Sequence, residues 1–381
     1  MVLCETPPMG WNSWNTFGFN INDKLVRETA DAMVEKGLLE AGYNYLVIDD
    51  GWQAKTRDAN GNLMPDADKF PEGIEKTIEY VHSKGLKFGI YSCAGTLTCG
   101  SFPGSYQHEF DDARTFAKWG VDFLKYDNCA KPSGIDDELL YRRMAMALRH
   151  SGRDILFSAC SWGEYDTLRW ARESGAHIWR STCDIADNWV SMKDIAMSQF
   201  NHTPYNGSYS FNDMDMLIAG MYGDGHVGVG GCNDDEYQSH FALWSIMMSP
   251  LMIGCDVRKM NDATLELLTN KELIAINQDI ECRPPRCYKI HKDLEYYGAV
   301  KLLSDGDYAF AMFNFSDEDC IVENNLNIKF WDIGLPIDCG YAFEIRDVIN
   351  HKDLGIFTEF ITDTLKSHSC AVYRGKLVKV K

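Results

Sequence analysis

The sequence predicts an α/β chain: a (β/α)8 TIM barrel followed by a small antiparallel β-sandwich domain. Three observations predict it. Eight short apolar runs, each ending in polar or charged residues, follow one another through the first two thirds of the 381 residues. Helical apolar patterns separate them, and glycines close most of these patterns. After residue 287 the helical rhythm stops, and alternating aromatic-rich runs between turns take its place.

The runs are MGWNSW (9–14), YLVIDD (45–50), LKFGIYSC (86–93), FLKYDN (123–128), ILFSAC (155–160), IWRSTCD (178–184), YSFNDMD (209–215) and PLMIGCD (250–256). Apolar runs of this length, bounded by turn residues, read as strands. Between them apolar residues recur at helical spacing: Val26, Ala30, Met33 and Val34; Ile74, Ile78 and Val81; Phe110, Ala113, Phe116 and Ala117; Leu140, Met144 and Leu148. Gly37, Gly85, Gly120 and Gly152 follow these stretches, where a helix C-terminus favours a residue free to turn left-handed. Successive run ends lie 24 to 43 residues apart, and 242 residues separate the first from the last. The total matches the roughly 250 residues of a (β/α)8 barrel, which is preferred over a doubly wound open sheet.

A last helix over about 264–279 leads into CRPPRC (282–287), whose prolines mark a domain break. The expected domains are a catalytic barrel at 1–283 and a sandwich at 287–381. YYGAVKLL, DYAFAMFNFS and GYAFEIRDV supply the sandwich strands. The sandwich offers a packing surface to the barrel or to a second subunit, so monomer and homo-oligomer both stay open.

A net charge of -19 without a Lys or Arg run argues against nucleic acid or an anionic membrane as partner. The N-terminal MVLCETPPMG lacks the basic head and apolar core of a signal peptide, and no apolar stretch of about 18 residues occurs. As given, the sequence is expected in the cytoplasm, or in a secreted form if a leader has been removed. The 13 cysteines form no CxxC and the 10 histidines no HExxH or HxH, so no metal site is expected.

The functional signal lies at the ends of the runs. FLKYDNC carries Lys125 and Asp127 on one face of a buried strand, although an unpaired buried charge is expensive. In a barrel that face points inward at the C-terminal mouth, where barrel active sites sit. Arg180, Thr182 and Asp184 repeat the pattern. One Asp at a strand end is often a cap or a turn residue. Asp49, Asp50, Asp127, Asp184 and Asp215 together exceed what capping requires. Two carboxylates reaching a sugar from non-adjacent strands suit glycoside hydrolysis, and retaining enzymes hold them about 5 to 5.5 Å apart. Lys125 and Arg180 are expected to keep Asp127 ionised, and the charge of Asp127 to keep Asp184 protonated.

PPMGWNSWN, IDDGWQ, GIYSCAGTLTC, FLKYDNC, WRSTCDIADNW and FNDMDML occur in this order. In order and spacing the set resembles the retaining α-galactosidases and α-N-acetylgalactosaminidases of glycoside hydrolase family 27. The resemblance is strong over about residues 5–280 and looser in the sandwich. It implies Asp127 as nucleophile and Asp184 as acid/base, with no cofactor. Trp14 is similar to the aromatic that packs on the sugar, and Asp49 and Asp50 to the pair that binds its outer hydroxyls. Lys125 resembles the residue holding ring hydroxyls beside the nucleophile, and Arg180 the one near the 2-position and the acid/base. Tyr91, Trp162, Asp215 and, more weakly, Met216 are wall residues on the same grounds. The resemblance also implies a Cys99–Cys129 disulfide, which a reducing compartment would keep as thiols. A second bridge common in the family is expected to be absent, because Gly51 stands at one of its positions and NTFGFN offers no partner.

The segment ACSWGEYD is expected to set the sugar. Ser161 is small, as an N-acetyl pocket requires, whereas Glu164 is large. Pointing inward, Glu164 would meet a 2-hydroxyl and exclude an acetamide; pointing outward, it would open the pocket. An exo-α-galactosidase acting on α-galactoside oligosaccharides or glycoconjugates is the preferred reading, and an α-N-acetylgalactosaminidase the alternative. β-L-Arabinopyranoside is a third substrate option. A sugar-binding module without catalysis ranks lowest, since both catalytic carboxylates are present.

Overall fold

The computed structural model describes residues 3–321 and 325–380. Its first part is built on eight parallel strands: β1 (Met9–Asn12), β2 (Tyr45–Val47), β3 (Lys87–Cys93), β4 (Phe123–Asp127), β5 (Leu156–Cys160), β6 (Ile178–Arg180), β7 (Phe211–Asp213) and β8 (Leu251–Ile253). Each falls inside one of the eight apolar runs. They pair in the order β7-β6-β5-β4-β3-β2-β1-β8. The segment after β7 completes the circuit: Leu217 N donates to Met252 O at 2.8 Å, and Gly254 N donates to Leu217 O at 2.9 Å.

Alternation along the strands divides the core in two. Tyr45, Val47, Phe123, Leu156, Ile178, Phe211 and Met252 pack together inside the barrel. Leu46, Phe88, Ile90, Leu124, Tyr126, Phe157 and Trp179 face outward and are covered by the helices. Phe123 thus fixes the inward face of β4, and Lys125 and Asp127 follow on that face toward the mouth.

The helices bury narrower stripes than the sequence suggests. Asp23–Glu35 starts with Asn22, whose side chain accepts from Leu25 N, and buries Val26, Ala30 and Met33. Val34 and Phe110 are exposed, each at the margin of its stripe. Gly37, Gly85 and Gly120 turn left-handed at helix ends, whereas Gly152 lies in the turn beyond the C-cap His150. The single helix expected over 264–279 is two, Asp262–Leu268 and Lys271–Asn277. Asn270 divides them, because its side chain accepts from Glu272 N and Leu273 N and starts a new helix. No helix among the described residues is long and apolar enough to cross a membrane.

The second part holds β9 (Arg286–Lys289), β10 (Tyr296–Leu302), β11 (Tyr308–Asn314), β12 (Leu326–Lys329), β13 (Tyr341–Asp347), β14 (Lys352–Phe357), β15 (Phe360–Asp363) and β16 (Cys370–Lys379). Six form an antiparallel sheet ordered β14-β13-β16-β11-β10-β9, and β12 pairs with β15. Phe310, Met312, Ile328, Phe330, Phe343 and Ile361 fill the space between the layers. Ala309, Ala311, Phe313 and Val372 join the main barrel core instead. The small alanines let the sheet approach the barrel closely.

His240, in the helix Asp234–Ile246, is fully buried. Its Nε2 accepts from Ile218 N at 3.1 Å, next to the Leu217 closure. Burial pushes the imidazole down to about 3 from an ordinary 6.5. A depressed histidine contributes stability that is present above pH 6.5 and is lost as pH falls toward 3. Between pH 7 and pH 5 it accounts for about 2 kcal/mol. His240→Gln keeps an acceptor for Ile218 N but does not titrate. Urea unfolding at the two pH values should show the wild type losing about 2 kcal/mol more than the variant.

Candidate active site

At the C-terminal mouth of the barrel lies a cavity of about 220 Å³. Trp14, Asp49, Asp50, Tyr91, Lys125, Asp127, Trp162, Arg180, Asp184, Asp215 and Met216 all line it. The segments after β1, β2, β5, β6 and β7 and the strands β3, β4 and β6 deliver these side chains to one hollow.

Two charge systems face each other across the cavity. On the first side Lys125 Nζ donates to Asp49 Oδ2 at 2.7 Å, and Asn12 Nδ2 donates to the same oxygen at 2.9 Å. Burial pushes the ammonium down, but Asp49 and Asp127 outweigh this and hold it well above its ordinary value. Asp50 accepts from Gly51 N at 2.8 Å and from Gly100 N at 2.7 Å. Burial pushes its carboxyl up to about 6 despite those donors. The Tyr91 hydroxyl donates to Asp127 Oδ2 at 2.8 Å, and Asn128 N donates to Asp127 Oδ1 at 3.0 Å.

On the other side Arg180 is the hub. Its Nη2 lies 2.8 Å from Asp184 Oδ1 and 2.7 Å from Asp215 Oδ2, and its Nε donates to Thr182 Oγ1 at 3.0 Å. Asp215 takes a left-handed backbone conformation, φ 85°, and accepts from Ile185 N at 2.7 Å. Burial pushes its carboxyl up to about 6, with Arg180 opposing. A non-glycine residue held in that backbone region is strained, and such strain gathers at functional sites. Asp184 stands at the rim with its side chain 68% exposed.

The ionisation pattern corrects the expectation from sequence. Lys125 pairs with Asp49, and Arg180 pairs with Asp184 and Asp215, so neither is dedicated to Asp127. Burial therefore wins at Asp127 and raises its carboxyl, although Lys125 and Tyr91 oppose it. At Asp184 desolvation raises the carboxyl, but Arg180 and Lys125 outweigh it and leave it below the ordinary range. The two carboxyls are thus moved in opposite directions, Asp127 up and Asp184 down.

Two expected specificity residues stand outside the cavity. Ser161 is fully buried, with its Oγ 2.6 Å from Thr167 Oγ1. Glu164 turns outward, accepting from Lys131 Nζ at 3.2 Å and from Asn128 Nδ2 at 3.4 Å. Cys160 and Trp162, their neighbours, line the wall instead. Trp162 is left-handed, φ 54°, and its side chain is on the cavity wall.

Cys99 and Cys129 are bonded, with Cα atoms 5.3 Å apart, and tie the loops above β3 and β4. Cys99 Sγ lies 3.5 Å from Asp127 Oδ2. The two sulfurs and Asp127 are close enough to hold a metal as free ligands, but with the sulfurs bonded only one carboxylate is left. The bridge missing at Gly51 is replaced by packing. A Cβ at Gly51 would lie 2.8 Å from Phe19 Cδ1, so the ring sits where a side chain would be.

Sequence reasoning missed Asn15, Ile185, His226 and Val227, which also line the cavity. His226 and Val227 arrive on a glycine-rich loop with no strand ending. His226 N donates to Thr16 O at 3.1 Å and Val227 N to Asn15 O at 3.0 Å, which stitches this loop to the one after β1. The dense glycines of GMYGDGHVGVGG are the available signal, since a Cβ at Gly225 would meet Thr16 Cα at 2.8 Å.

The family model described as alpha galactosidase A matches residues 6–279, and the alpha galactosidase C-terminal beta sandwich domain matches residues 295–374. An alpha-galactosidase of Coffea arabica is 46% identical over 97% of this chain and 93% of its own length. One of Cyamopsis tetragonoloba is 45% identical over 97% of this chain and 86% of its own. Alpha-galactosidase I of Mortierella vinacea superposes with a TM-score of 0.89 at 33% identity, covering 98% of this chain and 97% of that one. The Saccharomyces cerevisiae alpha-galactosidase with raffinose gives a TM-score of 0.87 at 25% identity, with 98% of both chains covered.

Proposed function

The chain belongs to the alpha galactosidase A family and is a glycoside hydrolase acting on α-galactosides, and from that premise we propose a retaining double displacement with Asp127 as nucleophile and Asp184 as acid/base. The observation that carries this reading is that Asp127, at the end of β4, and Asp184, four residues beyond β6, line one cavity, the first held by the Tyr91 hydroxyl and the second by Arg180. Asp184 gives its proton to the glycosidic oxygen as Asp127 attacks the anomeric carbon and the bond to the leaving sugar breaks. Water then enters, Asp184 takes its proton, and the oxygen displaces Asp127.

The other wall residues would position the galactosyl ring. Asp49 and Lys125, already paired, present an acceptor and a donor to the outer hydroxyls, and Asp50 adds a second acceptor. A sugar of the wrong configuration at the 4-position would leave these buried groups unpaired, which is the stronger route to discrimination. Trp14 and Trp162 supply apolar faces. Arg180 and Asp215 would keep Asp184 at the leaving-group side. We place the junction of the two domains at residues 283–287, in CRPPRC.

The ionisation pattern predicts a pH signature. Catalysis needs Asp127 ionised and Asp184 protonated, but burial raises the Asp127 carboxyl while Arg180 lowers that of Asp184. The reactive form is then a minor one, and kcat/KM should peak between the two apparent values, on the acid side of neutrality. A pH profile of kcat/KM checks this, and a plateau extending above pH 8 would contradict it.

One observation favours a second activity on α-N-acetylgalactosaminides: neither Ser161 nor Glu164 reaches into the cavity. Initial rates on a matched pair of aryl glycosides test the substrate reading. A preference for galactoside supports it; a preference for the acetamido sugar would transfer the assignment to the second reading.

A further inference from the structure

The lip of the cavity carries three rings in mutual contact, Trp14, Phe19 and His226. Trp14 meets Phe19 edge to face with centroids 5.2 Å apart and His226 with centroids 4.7 Å apart. Phe19 and His226 are themselves 6.5 Å apart. Trp14 and His226 line the cavity, whereas Phe19 continues outward from it and is 38% exposed. The His226 ring is exposed, and its nitrogens donate to no other side chain or backbone group among the described residues.

Glycines give this cluster its seat. Cβ atoms at Gly51 and Gly100 would lie 2.8 and 2.4 Å from Phe19, and one at Gly18 would lie 3.0 Å from the His226 ring. Backbone without side chains on three sides holds the rings up at the rim.

The cluster also adjoins the acid/base. Asp187 N, three residues beyond Asp184, donates to Val227 O at 3.0 Å, and Gly231 N donates back to Asp187 O at 2.9 Å. The loop of Asp184 and the loop of His226 are therefore one continuous wall. A leaving group whose oxygen meets Asp184 must emerge along that wall.

We propose that Phe19 and His226, buttressed by Trp14, form the subsite for the leaving sugar of an α-galactoside. This rests on the reading of Asp184 as the acid/base. The C–H face of a pyranose is apolar and packs on an exposed ring, while its hydroxyls find donors and acceptors in the free imidazole. The class of substrate favoured is an oligosaccharide whose second unit is a pyranose, rather than a galactoside with a small alkyl group.

The test compares two substrates of one enzyme. Raffinose leaves as a sugar; α-galactosyl fluoride leaves as an ion with no ring to stack. For His226→Ala the ratio of kcat/KM on raffinose to that on the fluoride should fall about tenfold, and Phe19→Ala should lower it similarly. Thermal unfolding of both variants verifies that they fold; if Phe19→Ala does not, His226→Ala decides alone. A ratio within twofold of wild type in His226→Ala overturns the proposal, including the case where both substrates suffer equally and His226 serves the galactosyl site. Wild-type enzyme that cleaves neither substrate would instead overturn the reading of the catalytic pair, and the subsite with it.

Discussion

Asp127→Ala is expected to lose on the order of 10⁴-fold or more in kcat, and azide is expected to restore turnover as β-galactosyl azide. The alanine removes the attacking oxygen and leaves room beside Tyr91 and Asn128 for a small anion. Attack by azide directly on the substrate inverts the anomeric centre once, where the proposed double displacement inverts it twice. The fold should survive. Burial raises the Asp127 carboxyl, so its ionisation costs stability as pH rises through its folded value. Asp127→Asn, which removes the charge at nearly constant volume, should therefore unfold at a temperature no lower than wild type at pH 7, with its advantage shrinking at acid pH. Substantial residual kcat in Asp127→Ala, without azide, would contradict the nucleophile assignment.

The second large effect is expected at Asp184, and its size should depend on the leaving group. With raffinose, whose leaving alkoxide needs a proton, Asp184→Ala should lower kcat/KM by roughly 10² to 10⁴-fold, the usual worth of a positioned general acid. With α-galactosyl fluoride the first step needs far less help, so the loss in kcat/KM should be at least tenfold smaller. Equal losses on both substrates would mean that Asp184 acts by binding rather than by proton transfer. The variant also frees Arg180 from one of its two carboxylates while the buried pair with Asp215 stays intact. Little stability should change, because the Asp184 side chain is largely exposed and its ion pair is screened by solvent.

How much of this was legible in the sequence follows from where each residue sits. The barrel strands declared themselves because strands buried on both faces leave short apolar runs, and all eight are found within those runs. Asp127 and Asp184 were visible because a charge ending such a run is costly without a purpose. What the sequence could not convey is which partner each charge takes. Lys125 is two residues from Asp127, yet its ammonium pairs with Asp49 in the loop after β2, and burial then raises the Asp127 carboxyl rather than leaving it low. Glu164 illustrates the same limit. Its neighbour Trp162 takes a left-handed backbone, which sequence does not announce for a bulky residue, and the turn that follows sends Glu164 out to Lys131. His226 was missed for another reason: it comes from a loop tied down by backbone hydrogen bonds and glycine contacts, neither of which leaves an apolar period. The helix break at Asn270 falls in this group too, since one side chain competing for two backbone donors outweighs a continuous apolar stripe.

In the proposed mechanism a galactosyl group passes through a covalent bond to Asp127, and Asp184 is needed to release it. Asp184→Ala treated with α-galactosyl fluoride isolates that species, because the fluoride departs without an acid whereas water lacks its base. Intact-protein mass after acid quench should show one added galactosyl unit, and peptide mapping should locate it on Asp127. No added mass, or an adduct on Asp215 or any other residue, would contradict the account.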